Sequence, residues 1–383
     1  MDKQQEETRP EEVIAGSAYF DGKWYAEKYH ITQEDPAAHY LNEGWKLGFD
    51  PSEGFSTSEY LRRRCDIIEA EINPLLHYEL EGKAFWDRFK RITAECDLEG
   101  FGLEIAPYFN PTCPKSRGYH VEILDCMDQD SLRRQGERDP NVGRRAKRVE
   151  AVDYIWSGED YRELIGAEER YDYIIASHVI EHTTDLAGFL EQCAALLKEN
   201  GVLSLAIPDK RYCFDFFREN SSPSKVIDKY MANDKSRHSK GSVIEVWANA
   251  VKRNQEIYAG DSEYRPKDAF TVKALQYKRL QPILEKDEYL DVHEWVFTPA
   301  SFRILVNDLQ EIGLIENLSE AAFHPTEGKS HEFFISFRKT AVPDQTDASA
   351  RLARRTMLRH ERLQEDIDFY TKLAKAEKTG SME

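Results

Sequence analysis

Short apolar runs alternate with amphipathic segments through the middle of the chain, between about residues 100 and 210. The apolar runs predict five strands, at GLEIA, HVEILD, RVEAVDYIW, YDYIIAS and VLSLAIPD. Residues 185–198 predict an amphipathic helix that Asn200-Gly201 would close. The apolar face of that helix carries Leu186, Phe189, Leu190, Cys193 and Leu197. Continuously apolar strands that alternate with helices indicate an α/β fold, with a parallel sheet covered on both faces.

The pattern changes on the carboxyl-terminal side of these strands. Residues 211–290 are irregular and rich in charge, which favours a helical insertion, while a helix at 301–313 and the apolar run HEFFISF return to the sheet pattern. Residues 341–350 read as a linker, and residues 351–383 as a charged helix. One stripe of that helix carries Leu363, Ile367, Tyr370 and Ala374. An isolated helix of this kind is marginal in water, so we expect it to dock on another surface or to pair with a second chain.

The amino-terminal part predicts a polar, disordered segment at 1–15 and a helical repeat region at 16–92. Asp35-Pro36 in one copy and Asn73-Pro74 in the other are typical of helix starts, where proline is tolerated. Each copy continues with a histidine, His39 or His77, among aromatic residues at helical spacing. We expect these histidines to pack in small cores rather than to bind a ligand.

The amino-acid composition argues against several classes of protein. The 383 residues suggest about two domains, and the net charge of −18 argues against a general nucleic-acid binder, which needs lysine and arginine to neutralise phosphates. The six cysteines are scattered without a C-x-x-C pair, as expected of reduced thiols in a cytoplasmic protein. We see neither a signal peptide nor an apolar run long enough to span a membrane.

Polar side chains lie at or near the ends of the first four predicted strands, at Glu104, Asp125, Asp153 and Ser177-His178. In doubly wound sheets, ligands bind beyond the carboxyl ends of the strands. Asp125 follows the start of the first loop by about 20 residues, a spacing at which an acid binds the ribose hydroxyls of a nucleoside. Together these side chains indicate a site for an adenosyl ligand.

The segment that starts with SHVIEH and continues through LKENG to PD closely resembles the class I S-adenosylmethionine-dependent methyltransferases. The resemblance covers about residues 98–340. It implies a Rossmann-like sheet of seven strands, one of them antiparallel, with HEFFISF a candidate for an antiparallel pair at the edge. It also implies S-adenosylmethionine as the cofactor.

Two finer resemblances concern the biological setting. The L-E-I-A-P-x-x-N-P loop is similar to that of methyltransferases from bacterial surface-polysaccharide gene clusters, those for O-antigen and capsule. Residues 17–85 resemble a short repeat found beside bacterial glycosyltransferases. They imply a glycan, a nucleotide sugar or a lipid-linked sugar as the acceptor, with glycosyltransferases as further partners.

The first loop departs from the usual glycine-rich sequence. Glycine lets the backbone approach the cofactor because it lacks a Cβ. Ala106 keeps a small side chain, Pro107 fixes the turn, and Asn110 is expected either to adopt a left-handed conformation or to bind the charged groups of the ligand. The predicted cofactor-binding residues are therefore Glu104, Ala106, Pro107, Asn110, Asp125, Asp153, Ser177 and His178.

The acceptor side is predicted from residues that suit sugar chemistry. Lys210, Arg211 and Tyr212 follow the fifth strand and are expected to bind sugar hydroxyls or phosphates. Transfer to a hydroxyl requires removal of its proton, and histidine is the usual base near neutral pH. We predict His293 as this base, with His182 and Asp209 as alternatives.

A metal site is the competing interpretation of one motif. His178, Glu181 and His182 lie at i, i+3 and i+4, a spacing that can bind a metal ion through two imidazoles and a carboxylate. Some methyltransferases similar to this segment bind a divalent ion through E-x-x-E-H, whereas many others carry E-H without a metal. Because His178 replaces the first glutamate, we predict no metal here.

These observations predict an O-methyltransferase that acts on a sugar hydroxyl of a bacterial surface glycan or its precursor. One alternative is a non-catalytic scaffold or binding protein of a glycan-assembly complex. Another is a methyltransferase of a small metabolite or a protein. The carboxyl-terminal helix leaves a homo-oligomer open.

Overall fold

The computed structural model describes residues 9–32, 35–64, 67–68, 70–232, 237–253, 256–257, 281, 285, 289–327, 330–340 and 347–379. The chain divides into two compact units, residues 1–91 and 92–383.

The first unit is helical. Its α-helices are α1 (Pro10–Gly16), α2 (Gly22–Tyr29), α3 (Pro36–Asn42), α4 (Thr57–Arg63), α5 (Pro74–His77) and α6 (Lys83–Ile92). Asp35 and Asn73 cap α3 and α5 through their side chains, which confirms the predicted helix starts. The predicted disorder at 1–15 is wrong for α1, where Ile14 is fully buried and supplies the apolar contact that holds the helix; residues 1–8 lie outside the described residues.

The same side-chain arrangement occurs twice in this unit. Tyr25 Oη lies 2.8 Å from His39 Nδ1, and Tyr60 Oη lies 2.6 Å from His77 Nδ1. In both copies a glycine backbone approaches the tyrosine so closely that a Cβ there would lie 1.9 Å from the hydroxyl. Both histidines therefore serve the packing of their helices, as the sequence predicted.

The second unit is built on a sheet of seven strands. These are β1 (Gly102–Ile105), β2 (Val121–Asp125), β3 (Tyr154–Ile155), β4 (Tyr171–Ser177), β5 (Leu197–Pro208), β8 (Leu318–His324) and β9 (Glu332–Lys339), with β6 (Lys252–Arg253) and β7 (Glu256–Ile257) forming a separate pair. The strand order is β3-β2-β1-β4-β5-β9-β8, and β9 runs antiparallel to both of its neighbours. The predicted seven-stranded sheet with one antiparallel strand is confirmed, and HEFFISF forms that strand beside the edge. The third strand is shorter than predicted, so Asp153 precedes it.

The helices of this unit are α7 (Gln129–Arg138), α8 (Tyr161–Ile165), α9 (Leu186–Leu196), α10 (Pro223–Ala232), α11 (Lys240–Asn249), α12 (Pro299–Glu311) and α13 (Ala348–Thr379). Helices α10 and α11 fall in the predicted insertion, of which residues 258–280 lie outside the described residues. Helix α9 ends earlier than predicted because β5 begins at Leu197; Asn200 instead takes φ 64° within a register shift of β5. Apolar side chains cover both faces of the sheet, as a mostly parallel sheet requires. No helix in the described parts combines the length and hydropathy needed to cross a bilayer.

Helix α13 docks on the sheet unit through a face that the sequence did not indicate. It begins at Ala348, inside the predicted linker, and buries Leu358 completely. The ring of Phe369 packs edge-on against Tyr212, with centroids 6.0 Å apart. The predicted stripe stays in solvent instead, with exposed fractions of 59% for Leu363, 50% for Ile367 and 61% for Tyr370. The other contacts of α13 with the sheet unit include ion pairs, such as those of Glu365, Glu361 and Arg351. Because charged residues make these contacts, the docked face of the helix has only a weak apolar periodicity.

We expect Leu358→Ala to destabilise the protein by about 2–5 kcal/mol, because it removes a fully buried side chain and leaves a cavity. That loss lowers the melting temperature by about 2–4 °C for each kcal/mol in a domain of this size. The matched control is Leu363→Ala on the exposed face of the same helix, which should change stability by less than about 0.5 kcal/mol. Equal melting temperatures for the two variants would contradict the docking described here.

Candidate active site

The loop after β1 is shaped by a buried carboxylate. Glu104 Oε1 accepts a hydrogen bond of 2.5 Å from the backbone N–H of Thr112, and Oε2 accepts one of 3.0 Å from that of Cys113. These bonds hold the return of the loop, so Glu104 acts through the loop conformation. Pro107 lies within this loop, and its carbonyl accepts a hydrogen bond of 3.0 Å from the backbone N–H of Asn110.

Ala106 adopts φ 47°, in the left-handed region that favours glycine. Its N–H donates to the carbonyl of Leu124 at 2.7 Å, which fixes the loop at the end of β1 beside β2. The chain therefore keeps the glycine conformation at this position with an alanine. The side chain costs backbone strain, and its small size leaves the backbone accessible.

Ala106→Gly should stabilise the protein by about 1 kcal/mol, because glycine adopts this φ without strain. The melting temperature should rise by about 2–4 °C. Ala176→Gly, at a buried position in β4, is the control and should lower it, since glycine in a strand costs conformational entropy. A lower melting temperature for Ala106→Gly would show that the methyl group, not the backbone angle, decides this position.

Asp125 ends β2 and is buried, with 4% of its surface exposed. Its Oδ1 accepts a hydrogen bond of 2.7 Å from the backbone N–H of Cys126. Burial raises the pKa of this carboxyl above its ordinary value, although the N–H of Cys126 works in the opposite direction. Ile155, its neighbour on β3, is 49% exposed. A carboxylate that can accept hydrogen bonds and an exposed apolar side chain thus lie side by side at the ends of β2 and β3.

Asp153 does not join this group. Its Oδ2 accepts a hydrogen bond of 2.6 Å from the backbone N–H of Ile123 and also pairs with Lys115. Both contacts tie the segment before β3 to β2. The predicted role of Asp153 in cofactor binding therefore has no support in the geometry. Ser177, by contrast, ends β4 beside Ala206, at the edge where Asp125 also lies.

The loop after β5 is occupied by internal contacts. Asp209 is fully buried, and both of its oxygens accept hydrogen bonds from Arg211, which also pairs with Glu365 of α13 at 3.1 Å. Lys210 Nζ donates to a backbone carbonyl at 2.9 Å, and Tyr212 is buried under α13. The geometry corrects the prediction that these four residues face the acceptor, because they bind the carboxyl-terminal helix and the loop itself.

His293 is buried and oriented by a carboxylate that the sequence analysis missed. Its Nδ1 lies 2.5 Å from Asp215 Oδ2, while Arg218 donates to Asp215 Oδ1 at 2.7 Å. Burial alone would raise the pKa of Asp215, but His293 and Arg218 outweigh it and lower the pKa. The ring of His293 makes no second hydrogen bond within the described residues. The i, i+3 spacing of aspartate and arginine was a signal for their pairing, though not for the histidine.

His182 forms a second imidazole–carboxylate pair and faces the first. Its Nδ1 lies 2.9 Å from Asp291 Oδ1, and its ring stands edge-on to His293 with centroids 4.7 Å apart. Burial lowers the pKa of His182, but the hydrogen bond to Asp291 and the nearby charge of Glu181 outweigh it and raise the pKa. His178, at φ 56°, lies with Nε2 2.9 Å from Glu332 Oε2 and with Nδ1 3.5 Å from Glu181 Oε1.

The loop that carries His293 is tied to the end of β4. The backbone N–H of Glu294 donates to the carbonyl of Glu181 at 2.8 Å. This bond brings His293, from the far side of the insertion, to the edge of the sheet where β4 ends. His182 and His293 thus lie at the same end of the parallel strands as Asp125 and Ser177.

Part of the sheet unit matches a known protein family. Residues 88–255 match the family model described as "Methyltransferase domain". The match spans the loop after β1, the end of β2 and the turn after β4, and the strand order agrees with the seven-stranded sheet of that fold. The chain carries a class I S-adenosylmethionine-dependent methyltransferase domain.

Curated relatives of the methyltransferase domain match over a short segment. A ubiquinone biosynthesis O-methyltransferase of Rhodopseudomonas palustris (strain HaA2) is 44% identical over 57 residues, which is 14% of this chain and 22% of that protein. The protein of the same name from Bradyrhizobium diazoefficiens is 39% identical over 57 residues, with the same coverage. The chain thus spans about a fifth of the length of these relatives.

Two solved structures are similar in outline to the methyltransferase domain. One, from Listeria monocytogenes, is described as a putative S-adenosylmethionine-dependent methyltransferase; it is 10% identical, covers 68% of this chain and 99% of its own, and has a TM-score of 0.35. The other is the N-methyltransferase NodS from Bradyrhizobium japonicum WM9, which is 12% identical, covers 68% and 98%, and has a TM-score of 0.32.

The residues at the edge of the methyltransferase domain fit its cofactor. Asp125 accepts from one N–H through Oδ1 and can accept further bonds from the two ribose hydroxyls. The exposed side chain of Ile155 offers an apolar surface beside it for a base. Ala106, with its small side chain, would let the backbone approach the methionine part. S-adenosylmethionine supplies a methyl group on a sulfonium centre when it binds here.

Proposed function

We propose that the protein is an O-methyltransferase that acts on a sugar hydroxyl of a bacterial surface glycan or its precursor. The observation that carries this proposal is the pair of His293 and Asp215, which is anchored to the end of β4 at the edge of the sheet that holds Asp125. A carboxylate that fixes one nitrogen of an imidazole leaves the other available to a substrate proton.

The reaction needs little more than alignment and one proton acceptor. A lone pair of the acceptor oxygen forms a bond to the methyl carbon, while the carbon–sulfur bond breaks with its electrons going to sulfur. His293 Nε2 takes the hydroxyl proton, and the Asp215 carboxylate stabilises the resulting imidazolium. Asp125 and the loop of Ala106 contribute by positioning, which can supply a large part of the rate enhancement.

Two observations support the acceptor. The relatives that match over 57 residues are named O-methyltransferases, which supports oxygen as the acceptor atom. The resemblance of the L-E-I-A-P-x-x-N-P loop and of residues 17–85 to proteins of polysaccharide assembly supports a glycan. With glycosyltransferases as neighbours in such a pathway, the acceptor would be a nucleotide sugar or a lipid-linked sugar.

The proposal is tested by incubating the purified protein with methyl-labelled S-adenosylmethionine and a lipopolysaccharide or capsule extract. Label in the glycan that resists mild base indicates an ether and supports the proposal; label in small molecules only would favour a metabolite acceptor, as the name of the ubiquinone relatives suggests. Calorimetry with S-adenosylhomocysteine separates both from a scaffold. A scaffold with a degenerate site would bind no S-adenosylhomocysteine and transfer no label.

The exposed stripe of α13, which carries Leu363, Ile367 and Tyr370, extends the proposal to quaternary structure. The opposite face of the helix is buried on its own domain, so this stripe remains the surface through which α13 would pair with a second copy.

A further inference from the structure

Three side chains near the acceptor site converge without bonding to one another. Glu181, His182 and His293 each offer one ligand atom, and these three atoms all lie within 4.8 Å of one another. Zinc sites need bonds of about 2.0–2.1 Å, which place tetrahedral ligands roughly 3.4 Å apart. The ligand atoms would thus have to close by up to about 1.4 Å (4.8 minus about 3.4), a movement within the reach of side-chain rotation.

The carboxylate of Glu181 is the second, independent observation. Only 1% of its surface is exposed, and neither of its oxygens has a hydrogen-bond partner in the part of the chain that the structure describes. His178 Nδ1 lies 3.5 Å from Oε1, too far for a good hydrogen bond. Burying a carboxylate without partners is costly, and buried charges are normally paired or bound to a metal ion. Within the described residues, Glu181 therefore lacks the hydrogen bonds that a buried carboxylate normally accepts.

Both imidazoles also have the support that metal-bound histidines require. His293 pairs with Asp215 at 2.5 Å and His182 with Asp291 at 2.9 Å, in each case through Nδ1. Histidines that bind metals usually hydrogen-bond a carboxylate or carbonyl through their other nitrogen, which fixes the ring and makes it a better ligand. Two separate carboxylates thus fix the two rings through Nδ1 and leave Nε2 of each to bind an ion.

We infer that Glu181, His182 and His293 bind one divalent transition-metal ion. Two imidazoles and one carboxylate suit Zn²⁺, Fe²⁺ or Mn²⁺ better than Mg²⁺, which prefers oxygen ligands. Three protein ligands leave a coordination position open, as in catalytic sites. His178, the third member of the sequence motif, is replaced in this set by His293, because His178 binds Glu332.

The inference deepens the proposed function and rests on it for the use of the ion. With an ion bound, His293 would serve as a ligand, and the ion would replace it as the group that promotes loss of the hydroxyl proton. The acceptor hydroxyl would bind at the open position and lose its proton to solvent, and its oxygen would attack the methyl carbon while the carbon–sulfur bond breaks toward sulfur. A bound divalent cation promotes this loss because it stabilises the negative charge on oxygen.

Binding is tested first without acceptor or cofactor. Chelator-treated protein is titrated by calorimetry with Zn²⁺, Mn²⁺ and Mg²⁺, and Co²⁺ is followed by its visible absorption. We expect one ion per chain, with Zn²⁺ and Co²⁺ binding more tightly than Mg²⁺ and raising the melting temperature. If none of these ions binds at one per chain, the inference fails.

Glu181→Gln is the informative variant. It should weaken Zn²⁺ binding by at least about a hundredfold, yet the chelated variant should melt no lower than the chelated parent, because an unpartnered buried charge is removed. Asp291→Asn, at an exposed residue, should weaken binding by about ten- to a hundredfold through His182. His120→Gln is the matched control and should keep the parent affinity, since His120 contributes no ligand atom to the cluster and packs against Phe101 instead.

Unchanged Zn²⁺ affinity in Glu181→Gln would overturn the assignment. A site that binds the ion normally in a protein that transfers no methyl group to any glycan would instead contradict the proposed function and leave the metal site standing. Full methyl transfer in excess chelator would contradict the catalytic use of the ion.

Discussion

His293→Ala should lower the rate of methyl transfer by about a hundredfold or more, which is the usual contribution of a positioned acid–base group. The side chain is buried at the end of a hydrogen-bonded chain through Asp215 to Arg218, and it faces His182 across a short gap. Affinity for S-adenosylhomocysteine should be nearly unchanged, because His293 belongs to the acceptor side. The loss is expected whether His293 takes the proton itself or binds the ion, and the metal titration separates these two roles.

The decisive quantity is turnover per folded molecule, with the melting temperature measured alongside. A residue that only packs would lower the melting temperature while the folded fraction kept its rate. His120→Ala is the matched control, since His120 packs against Phe101 at the amino-terminal ends of β1 and β2, with ring centroids 4.4 Å apart and ring planes tilted by 36°. Near-parental turnover of folded His293→Ala would move the acceptor chemistry to another group, with His182 the next to test.

Asp125→Ala should weaken binding of S-adenosylmethionine by between about a hundredfold and ten-thousandfold. Two hydrogen bonds from ribose hydroxyls to a charged acceptor would be lost, each contributing about 1.5–3 kcal/mol, and 1.4 kcal/mol corresponds to a factor of ten. Asp125→Asn keeps an acceptor for the N–H of Cys126 and should give a smaller loss. Calorimetry with the parent and both variants measures this directly.

The pH dependence of cofactor binding has a definite sign. Burial raises the pKa of Asp125, so its protonated form is favoured in the free folded protein at a higher pH than for an exposed aspartate. Ribose hydroxyls bind the ionised form better, so affinity should fall as pH drops through this raised pKa. Asp125→Asn should lose this dependence, whereas Asp130→Ala, at an exposed position in the first turn of α7, should keep both affinity and dependence. Parental affinity in Asp125→Ala would remove this carboxylate from the cofactor site.

The architecture could be predicted from local patterns because each element carries its own periodicity. Continuous apolar runs such as YDYIIAS mark strands buried on both faces, and their alternation with amphipathic segments leaves few topologies besides a parallel sheet. Strand ends then place residues such as Asp125 at a common edge. The resemblance of SHVIEH and the residues that follow it to class I methyltransferases suggested the family. The observed strand order agrees with the sheet of that family.

Among the candidate cofactor-binding residues, the sequence predicted correctly only those features that depend on the residue's own backbone position. Ala106 lies where the family uses glycine and adopts the left-handed φ that glycine would adopt. Glu104 and Asp153 were also chosen by position, but their oxygens bind backbone N–H groups or Lys115. A sequence shows that a carboxylate follows a strand, and the path of the neighbouring loop decides what the carboxylate binds.

The sequence by itself determined the α/β class and the five buried strands between residues 100 and 210, because these follow from periods of two to four residues along the chain, and the family resemblance added the expectation of seven strands. Tertiary structure alone decided that His293 meets His182 and Glu181, that Asp215 and Asp291 orient the two rings, and that α13 covers Arg211 rather than leaving it to the acceptor. These contacts join residues as far apart as His293 and Asp215, separated by 78 positions, or Arg211 and Glu365, separated by 154 (365 minus 211). These contacts form when the loops fold over the sheet. Hydrophobic periodicity does not indicate which polar side chains the folded loops bring together.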